Sequence, residues 1–427
     1  MVTSYGICRS RASLPAVVLV ASLATLVRAY LAVKLLFLAL FLGAALLSMA
    51  QRRRVFVYPR LVGFYLILGV VGIVWAVVGL LHQGNYVSGV LDAVRLYVIW
   101  SLAFVVVYTL LRSEASLGAI HAALILAGIL ISLINFVGLA DVVAGWGLVS
   151  ETIREELNLY VGVHEDYLQF NSVNISALFV IVPYLLALQF RADAGRANSR
   201  LTKLSLVLSL ILTMVSGRRA LWLVVALVPG TILLLAIVTG GLGVMRRGAR
   251  RFLLGYVAAA VLGAAAAPML PARLQEVGPV RRLVGAFSAA DERAIQKPYL
   301  LEGFARSPAL GSGFGAYAGY LRSEEAPWSY ELTYYVMLFN LGIVGVAALG
   351  TLFAVYFVFV CRLLSRFKEG AAVPFALLVG LCSLLMGAYS NPYFGGFDSL
   401  FFIGLLPYLS TFRAGFDRPA PAATAAS

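Results

Sequence analysis

The chain has 427 residues, of which 62% are hydrophobic and 12% charged, with a formal net charge of +14. An average soluble domain carries roughly 25% charged residues, so this composition cannot cover a water-exposed surface and a soluble globular fold is excluded. The basic balance follows from where the charges lie along the chain and requires no nucleic-acid partner.

Hydrophobic runs recur over the whole length, most of them long enough for a hydrocarbon core of ~30 Å. In a membrane the backbone must satisfy its own hydrogen bonds, so these runs predict helices. In chain order they fall at 13–29, 32–50, 58–81, 87–111, 117–138, 171–190, 203–216, 220–243, 252–270, 330–360, 371–389 and 396–412. The expected fold is an all-α polytopic membrane protein of about twelve transmembrane helices, one membrane domain over residues 1–427. The first run follows Arg9 and Arg11 as a signal peptide would, but a second run comes almost at once, which favours a retained helix. Segment 203–216 is short and relies on Lys203 reaching back to the interface. Cys8, Cys361 and Cys382 have spacings that fit neither a disulfide framework nor a metal site. No metal or cofactor is expected.

Charge counted by alternate loops divides the two faces. Residues 1–12, 51–60, 112–116, 191–203, 244–251, 361–370 and 413–427 hold 20 Lys/Arg and 4 Asp/Glu, against 12 and 14 for the other set. Clusters such as Arg52-Arg53-Arg54 and Arg246-Arg247 mark the first set as cytoplasmic by the positive-inside rule. Both termini are then cytoplasmic, and the two long loops, 139–170 and 271–329, face outward. Loops of that length in a compact protein are usually functional, and both have room for short amphipathic helices.

Several residues break the pattern. Arg218 and Arg219 occupy a very tight turn between two spans, on the outer face where short loops should lack positive charge. They either reach outer-leaflet phosphates or hold an anion, which guanidinium forks and a following helix N-terminus both favour. Asp92 and Arg95 share one face of the fourth span, as a structural ion pair or as cavity-lining charges.

The second long loop carries Asp291-Glu292-Arg293, then Arg322, with Pro308 and Gly311-Ser312-Gly313-Phe314-Gly315 between them. The glycines imply a tight turn but lack the strand and spacing of a dinucleotide fingerprint. Glu331 opens the tenth span from outside, followed closely by Tyr334. It either caps the helix or serves as a general base at a cavity mouth. His164, in the first long loop beside Glu165 and Asp166, reads as a loop residue before a base. His82 and His121 lie in a short turn and near a helix start.

In order and spacing these elements resemble the bacterial O-antigen ligase and polymerase superfamily. The resemblance rests on Ser216 to Ala220 opening a span, with Arg219 at the family arginine. It continues with Glu292-Arg293 and Ser307 to Gly315 in the long outer loop, and ends with Leu341-Gly342-Ile343-Val344-Gly345. It covers residues 203–360, under half the chain. Ligases of the family carry a histidine near the start of the helix after the long loop. This chain has none between 268 and 360, and Glu331 stands at about that place, which points to the polymerase branch.

Membership would imply metal-independent inverting glycosyl transfer on the periplasmic side of the bacterial inner membrane. The donor and acceptor would be undecaprenyl-diphosphate-linked glycans, with membrane lipids and a chain-length regulator as further partners. Catalytic roles would fall to Arg219, Arg293 and Glu331. Arg218, Arg95, Arg322, Tyr334 and His164 would assist in binding. The rival readings are a ligase or oligosaccharyltransferase acting on another acceptor, and a lipid-linked glycan flippase. A flippase should show pseudo-symmetric halves, and no internal repeat is visible.

Overall fold

The computed structural model of the chain describes residues 59–110, 114–156, 159–164, 167–171, 173–266, 292–367, 370–389, 392, 394 and 397–411. The expected spans at 13–29 and 32–50 lie outside these residues, as does 267–291, which opens the second long loop. The other ten expected spans are helical over most of their described length.

Helix α1 (Pro59–Leu81) turns into α2 (Val87–Val94), which passes through a π-helical stretch, Arg95–Trp100, into α3 (Ser101–Leu110). Next come α4 (Glu114–Ala144), α5 (Glu151–Glu156), and a hairpin of β1 (Tyr160–His164) and β2 (Tyr167–Asn171). A 3₁₀ turn, Val173–Ala177, leads into α6 (Leu178–Phe190), followed by α7 (Arg200–Val215), α8 (Arg219–Val238) and α9 (Arg247–Ala266). Helix α10 (Glu292–Arg306) belongs to the second long loop, and α11 (Thr333–Arg366), α12 (Ala372–Gly387) and α13 (Phe397–Leu409) follow. Among the described residues, five helical segments are long and apolar enough to cross a membrane: α1, Val87–Val105, Leu117–Ala144, α8 and α11.

The centre is built by α6 and α12. Every residue of α6 from Leu178 to Leu185 is buried, as is the α12 run from Phe375 to Leu381. A helix apolar on all sides belongs inside a bundle. The two approach closely because α12 offers glycines: a Cβ at Gly380 would stand 2.9 Å from Val180, and one at Gly387 would strike the Phe179 ring. Small residues serve this purpose where lipid supplies no hydrophobic drive between helices. Polar contacts add to it, as where Ser205 of α7 donates to the Ile125 carbonyl of α4 at 2.9 Å. Outward faces are apolar. On α1, Leu66, Val70, Ile73 and Val77 form an exposed stripe while Phe64, Leu68, Val71 and Trp75 point inward.

Contacts join helix ends that alternate-loop counting puts on the same side. Arg60 donates to the Ser410 carbonyl at 2.8 Å, and its own carbonyl accepts from Tyr356. The Arg246 amide donates to Phe190 O at 3.1 Å. At the opposite ends, the Tyr86 amide donates to Gly315 O at 2.8 Å and the Tyr334 hydroxyl to Leu385 O at 2.5 Å.

Three expectations change. The fold is helical as expected apart from one hairpin in the first long loop, which takes in Asn171, the residue expected to open a span; Tyr160 lies opposite Asn171 and His164 opposite Tyr167. Val161 and Val163 in one arm and Tyr167 and Phe170 in the other are residue types enriched in strands. Helix α4 runs beyond 138 to Ala144, where buried Asp141 accepts from the Leu148 amide (2.6 Å), the Val149 amide (3.1 Å) and Arg154 (2.5 Å). Finally, α11 starts at Thr333, so Glu331 lies in the approach to the helix rather than within it.

Candidate functional site

The site rests on a backbone interlock. Gly311, Gly313 and Gly315 all take positive φ, at 71°, 75° and 79°, a conformation costly for any residue with a Cβ. Their loop passes between the end of α1, the turn before α2, and a break in α11 at Gly342 (φ 59°, ψ −170°). The break frees backbone groups of α11, and the loop takes them up. Ser312 N donates to Phe339 O and Gly313 N to Asn340 O, both at 2.9 Å. In return, Ile343 N donates to Pro308 O at 2.9 Å and Val344 N to Ala309 O at 3.1 Å. On the other side Trp75 Nε1 donates to Leu310 O at 2.7 Å, and Asn85 Nδ2 donates to Ser312 O at 2.8 Å. A broken helix is tolerated at membrane depth only where protein satisfies the freed groups. The two glycine-rich segments singled out in the sequence are the two halves of this one joint.

From the joint the chain returns past α10 to Glu331. That carboxylate is held on both sides: Arg293 Nε lies 2.9 Å from Oε2 and Arg322 Nη2 lies 2.9 Å from Oε1. The Glu331 amide donates to Gln296 Oε1 at 3.0 Å. Gln296 is fully buried, and its Nε2 has no hydrogen-bond partner among the described residues. Arg322 also stands 3.8 Å from Glu292, whose carboxylate receives a long contact, 3.4 Å, from the Tyr320 hydroxyl. Burial, then the Glu292 charge, push the Tyr320 hydroxyl above its ordinary pKa. Beneath lies a small apolar core of Leu300, Ala316, Tyr330, Leu332 and Phe339. The Tyr330 oxygen accepts from the Ala318 amide at 2.7 Å, and burial pushes its pKa to about 12.

The cluster is part-open, with Glu331 18% exposed and Arg293 and Arg322 32% and 28%. Solvent therefore screens the pairs, and their stabilising effect is smaller than in a sealed interior. Their chemical capacity is clear. Each Glu331 oxygen keeps a second lone pair for a hydroxyl donor, and a phosphate oxygen would compete for the same guanidinium groups. Arg322 also faces a cavity of about 610 Å³ whose walls include Ser88, Asp92, Glu292, Glu325 and Trp328.

The structure thus brings together Arg293, Arg322 and Glu331 of the residues expected from sequence. Arg95 is paired with Asp92 at 3.0 Å, both side chains at least half exposed, and Asp92 connects that pair to the cavity wall. Arg218 and Arg219 begin α8 after Gly217 (φ 66°), Arg218 as the capping residue and Arg219 as the first helical one. Helix α8 packs on α12, α9 and α6. Tyr334 uses its hydroxyl to tie α11 to α12, with its ring edge-on to Phe394. His164 ends β1, across from Tyr167. Among the described residues no three His, Cys, Asp or Glu side chains group as metal ligands.

Comparison with protein-family models and with curated proteins returns no match. Sequence reasoning gave no role to Trp328, Glu325, Ser88 or Gln296. The signal for Trp328 was weak but present: Gly89 of α2 lies where a Cβ would stand 2.7 Å from its indole. Only a fold that brings residues 89 and 328 together makes that glycine informative.

Proposed function

We propose that the chain is a membrane glycosyltransferase of the polysaccharide-polymerase type, joining polyprenyl-diphosphate-linked repeat units. The observation that carries this reading is one carboxylate, Glu331, held between Arg293 and Arg322 beside a polar cavity in the acidic-loop face of a membrane protein. Guanidinium groups fixed in place before reaction stabilise charge that develops on a departing diphosphate, and such preorganised donors are often the largest catalytic effect. The acceptor hydroxyl oxygen bonds to the anomeric carbon as the bond from that carbon to the diphosphate oxygen breaks. The bonding pair leaves with the diphosphate, and the hydroxyl proton passes to Glu331. In the resting state Glu331, with Glu292 beside Arg322, offsets the charge of the two arginines and keeps them aligned, and the diphosphate displaces Glu331 from one or both.

In this reading Arg219, with Arg218, adds positive charge for the same diphosphate. The spans number about twelve in the bacterial inner membrane, with both termini cytoplasmic and the site periplasmic. The absence of a histidine near Glu331 favours chain extension over transfer to a lipid-A-type acceptor.

The test uses purified protein in nanodiscs with a lipid-diphosphate-linked repeat unit and no nucleotide sugar, read as chain length on a gel. A ladder that falls by about 10²-fold or more in Arg293→Ala supports the reading. An unaltered repeat unit, with protein shown to be folded, rejects it in favour of transfer to another acceptor or transport.

A further inference from the structure

The cavity beside Arg322 has a composition that selects among sugars. Among the described residues its wall offers three carboxylates, Asp92, Glu292 and Glu325, against a single guanidinium, Arg322, while Arg95 pairs with Asp92 at 3.0 Å. Arg322 already donates to Glu331 at 2.9 Å. An occupant therefore meets mostly hydrogen-bond acceptors and must itself be rich in donors. Ser88, Ser323 and Ser329 add hydroxyls that both donate and accept. Trp328 supplies the one large apolar surface. Its position is fixed by Gly89, which leaves no room for a side chain between α2 and the indole, and by the Tyr86 ring at 5.5 Å. An aromatic face beside convergent hydroxyls and carboxylates suits a pyranose ring, whose C–H face stacks while its hydroxyls donate.

We propose that this cavity is a saccharide subsite that admits uncharged or amino-bearing sugars and disfavours uronic acids. A sugar carboxylate would bring a fourth negative group against Asp92, Glu292 and Glu325, met only by serine hydroxyls and by an Arg322 already shared between Glu331 and Glu292, and such juxtapositions act as a filter. An amino group would instead gain charge-assisted bonds. For its place in the reaction the subsite rests on the glycosyl-transfer reading. Because Glu292 and Arg322 belong both to the cavity and to the Glu331 cluster, a ring bound here lies next to the reacting groups.

The experiment uses the full chain in nanodiscs and saturation-transfer difference NMR. The probes are methyl glycosides of glucose, galactose, N-acetylglucosamine and glucosamine, set against those of glucuronic and galacturonic acid. The expected result is transfer to at least one uncharged or amino sugar, with affinity about tenfold or more above either uronic acid. Trp328→Ala should abolish that transfer and Trp328→Phe keep it. Combining Asp92→Asn with Glu325→Gln should bring the uronic acids to within about threefold of the uncharged sugars. Elution and circular dichroism identify the folded variants. Equal binding of uronic acids by the unaltered protein, persistence of binding in Trp328→Ala, or no transfer to any probe would each overturn the proposal. The polymer assay separates the two readings. Saccharide binding without polymer leaves the subsite standing and removes the polymerase, and polymer without saccharide binding does the reverse.

Discussion

Gly311 and Gly342 approach so closely that a Cβ built on either would stand 2.5 Å from the other's amide nitrogen. Both have positive φ, at 71° and 59°, and both lie where the outer loop enters the break in α11. A side chain at either position meets backbone, which has no flexible end to yield. The loop that carries Arg322 and the helix that follows Glu331 are thereby locked to each other.

Gly311→Ala and Gly342→Ala should each destabilise the protein severely. Left-handed backbone alone costs a non-glycine residue about 1–2 kcal/mol, and overlap with backbone adds more. The expected outcome is loss of the monodisperse peak in fluorescence-detected size exclusion, or a large fall in the thermal midpoint in detergent. Gly350→Ala is the control. Among the described residues nothing beyond its own stretch of helix lies within 4 Å of a Cβ there and its φ is not positive, so gain of helix propensity should leave stability unchanged or slightly raised.

Trp75 and Asn85 fasten the other side of the joint, and their contributions should separate. Trp75→Phe removes the bond to Leu310 O while keeping an aromatic ring against Gly345. Its cost should be about 1–3 kcal/mol, for a carbonyl left without its donor and some lost volume. Asn85→Ala removes donors to both Gly79 O and Ser312 O, yet Asn85 is partly exposed and water can replace it. Its cost should be the smaller of the two. Thermal midpoints of the two variants and their double mutant decide this, and a double-mutant effect below the sum would show that both hold one loop.

Much of the helical layout was legible in the sequence, because long apolar runs permit few alternatives in a membrane. The hairpin was not. Tyr160 to His164 and Tyr167 to Asn171 alternate as strands do, but they flank Glu165-Asp166 in an acidic loop where the hydropathy pattern gives no reason to look for strands. Arg293 and Glu331 were readable as candidates, since charged residues beside a span are few. Their direct contact, with Arg322 on the other carboxylate oxygen, was not, because it depends on the path of residues 307–332, which have no regular periodicity. Gly311 to Gly315 were visible as a tight turn, whereas Gly342 lay inside an expected span. What they grip, the freed amides and carbonyls around Gly342, is a property of two distant backbone segments and leaves no mark in either alone.

The two arginines around Glu331 should couple. Arg293→Ala and Arg322→Ala each remove one donor from Glu331 and, in the proposed reaction, from the diphosphate. Preorganised donors of this kind are each worth about 10²–10³ in rate. If one diphosphate bridges both, the double variant should lose much less than the product of the single losses, as groups acting as a unit do. Glu331→Gln keeps the shape but removes the charge and the proton acceptor. It should lower polymer formation with little change in lipid-substrate binding, whereas Arg293→Ala should weaken both. Initial rates together with a binding isotherm for the lipid-linked unit distinguish these outcomes. Equal loss of binding in Glu331→Gln would make Glu331 an anchor for the arginines instead of a participant in proton transfer.

Arg219 offers a separable test, because it begins a helix other than those around Glu331. It is the first residue of α8, where the helix dipole is positive, and Arg218 precedes it as the capping residue without a side-chain cap bond. A cation there is unfavourable by about 0.3–1 kcal/mol, and the contacts of a part-exposed guanidinium are of similar size. Arg219→Ala should therefore stay within about 1 kcal/mol of the unaltered protein in stability. Polymer synthesis, in contrast, should fall by about 10²-fold or more if Arg219 stabilises the leaving diphosphate. Arg219→Lys should recover part of the loss, since a point charge survives while the bidentate fork does not. A large drop in thermal midpoint with proportionate loss of activity would instead make Arg219 a structural residue at the membrane boundary. The site would then consist of Arg293, Arg322 and Glu331 alone.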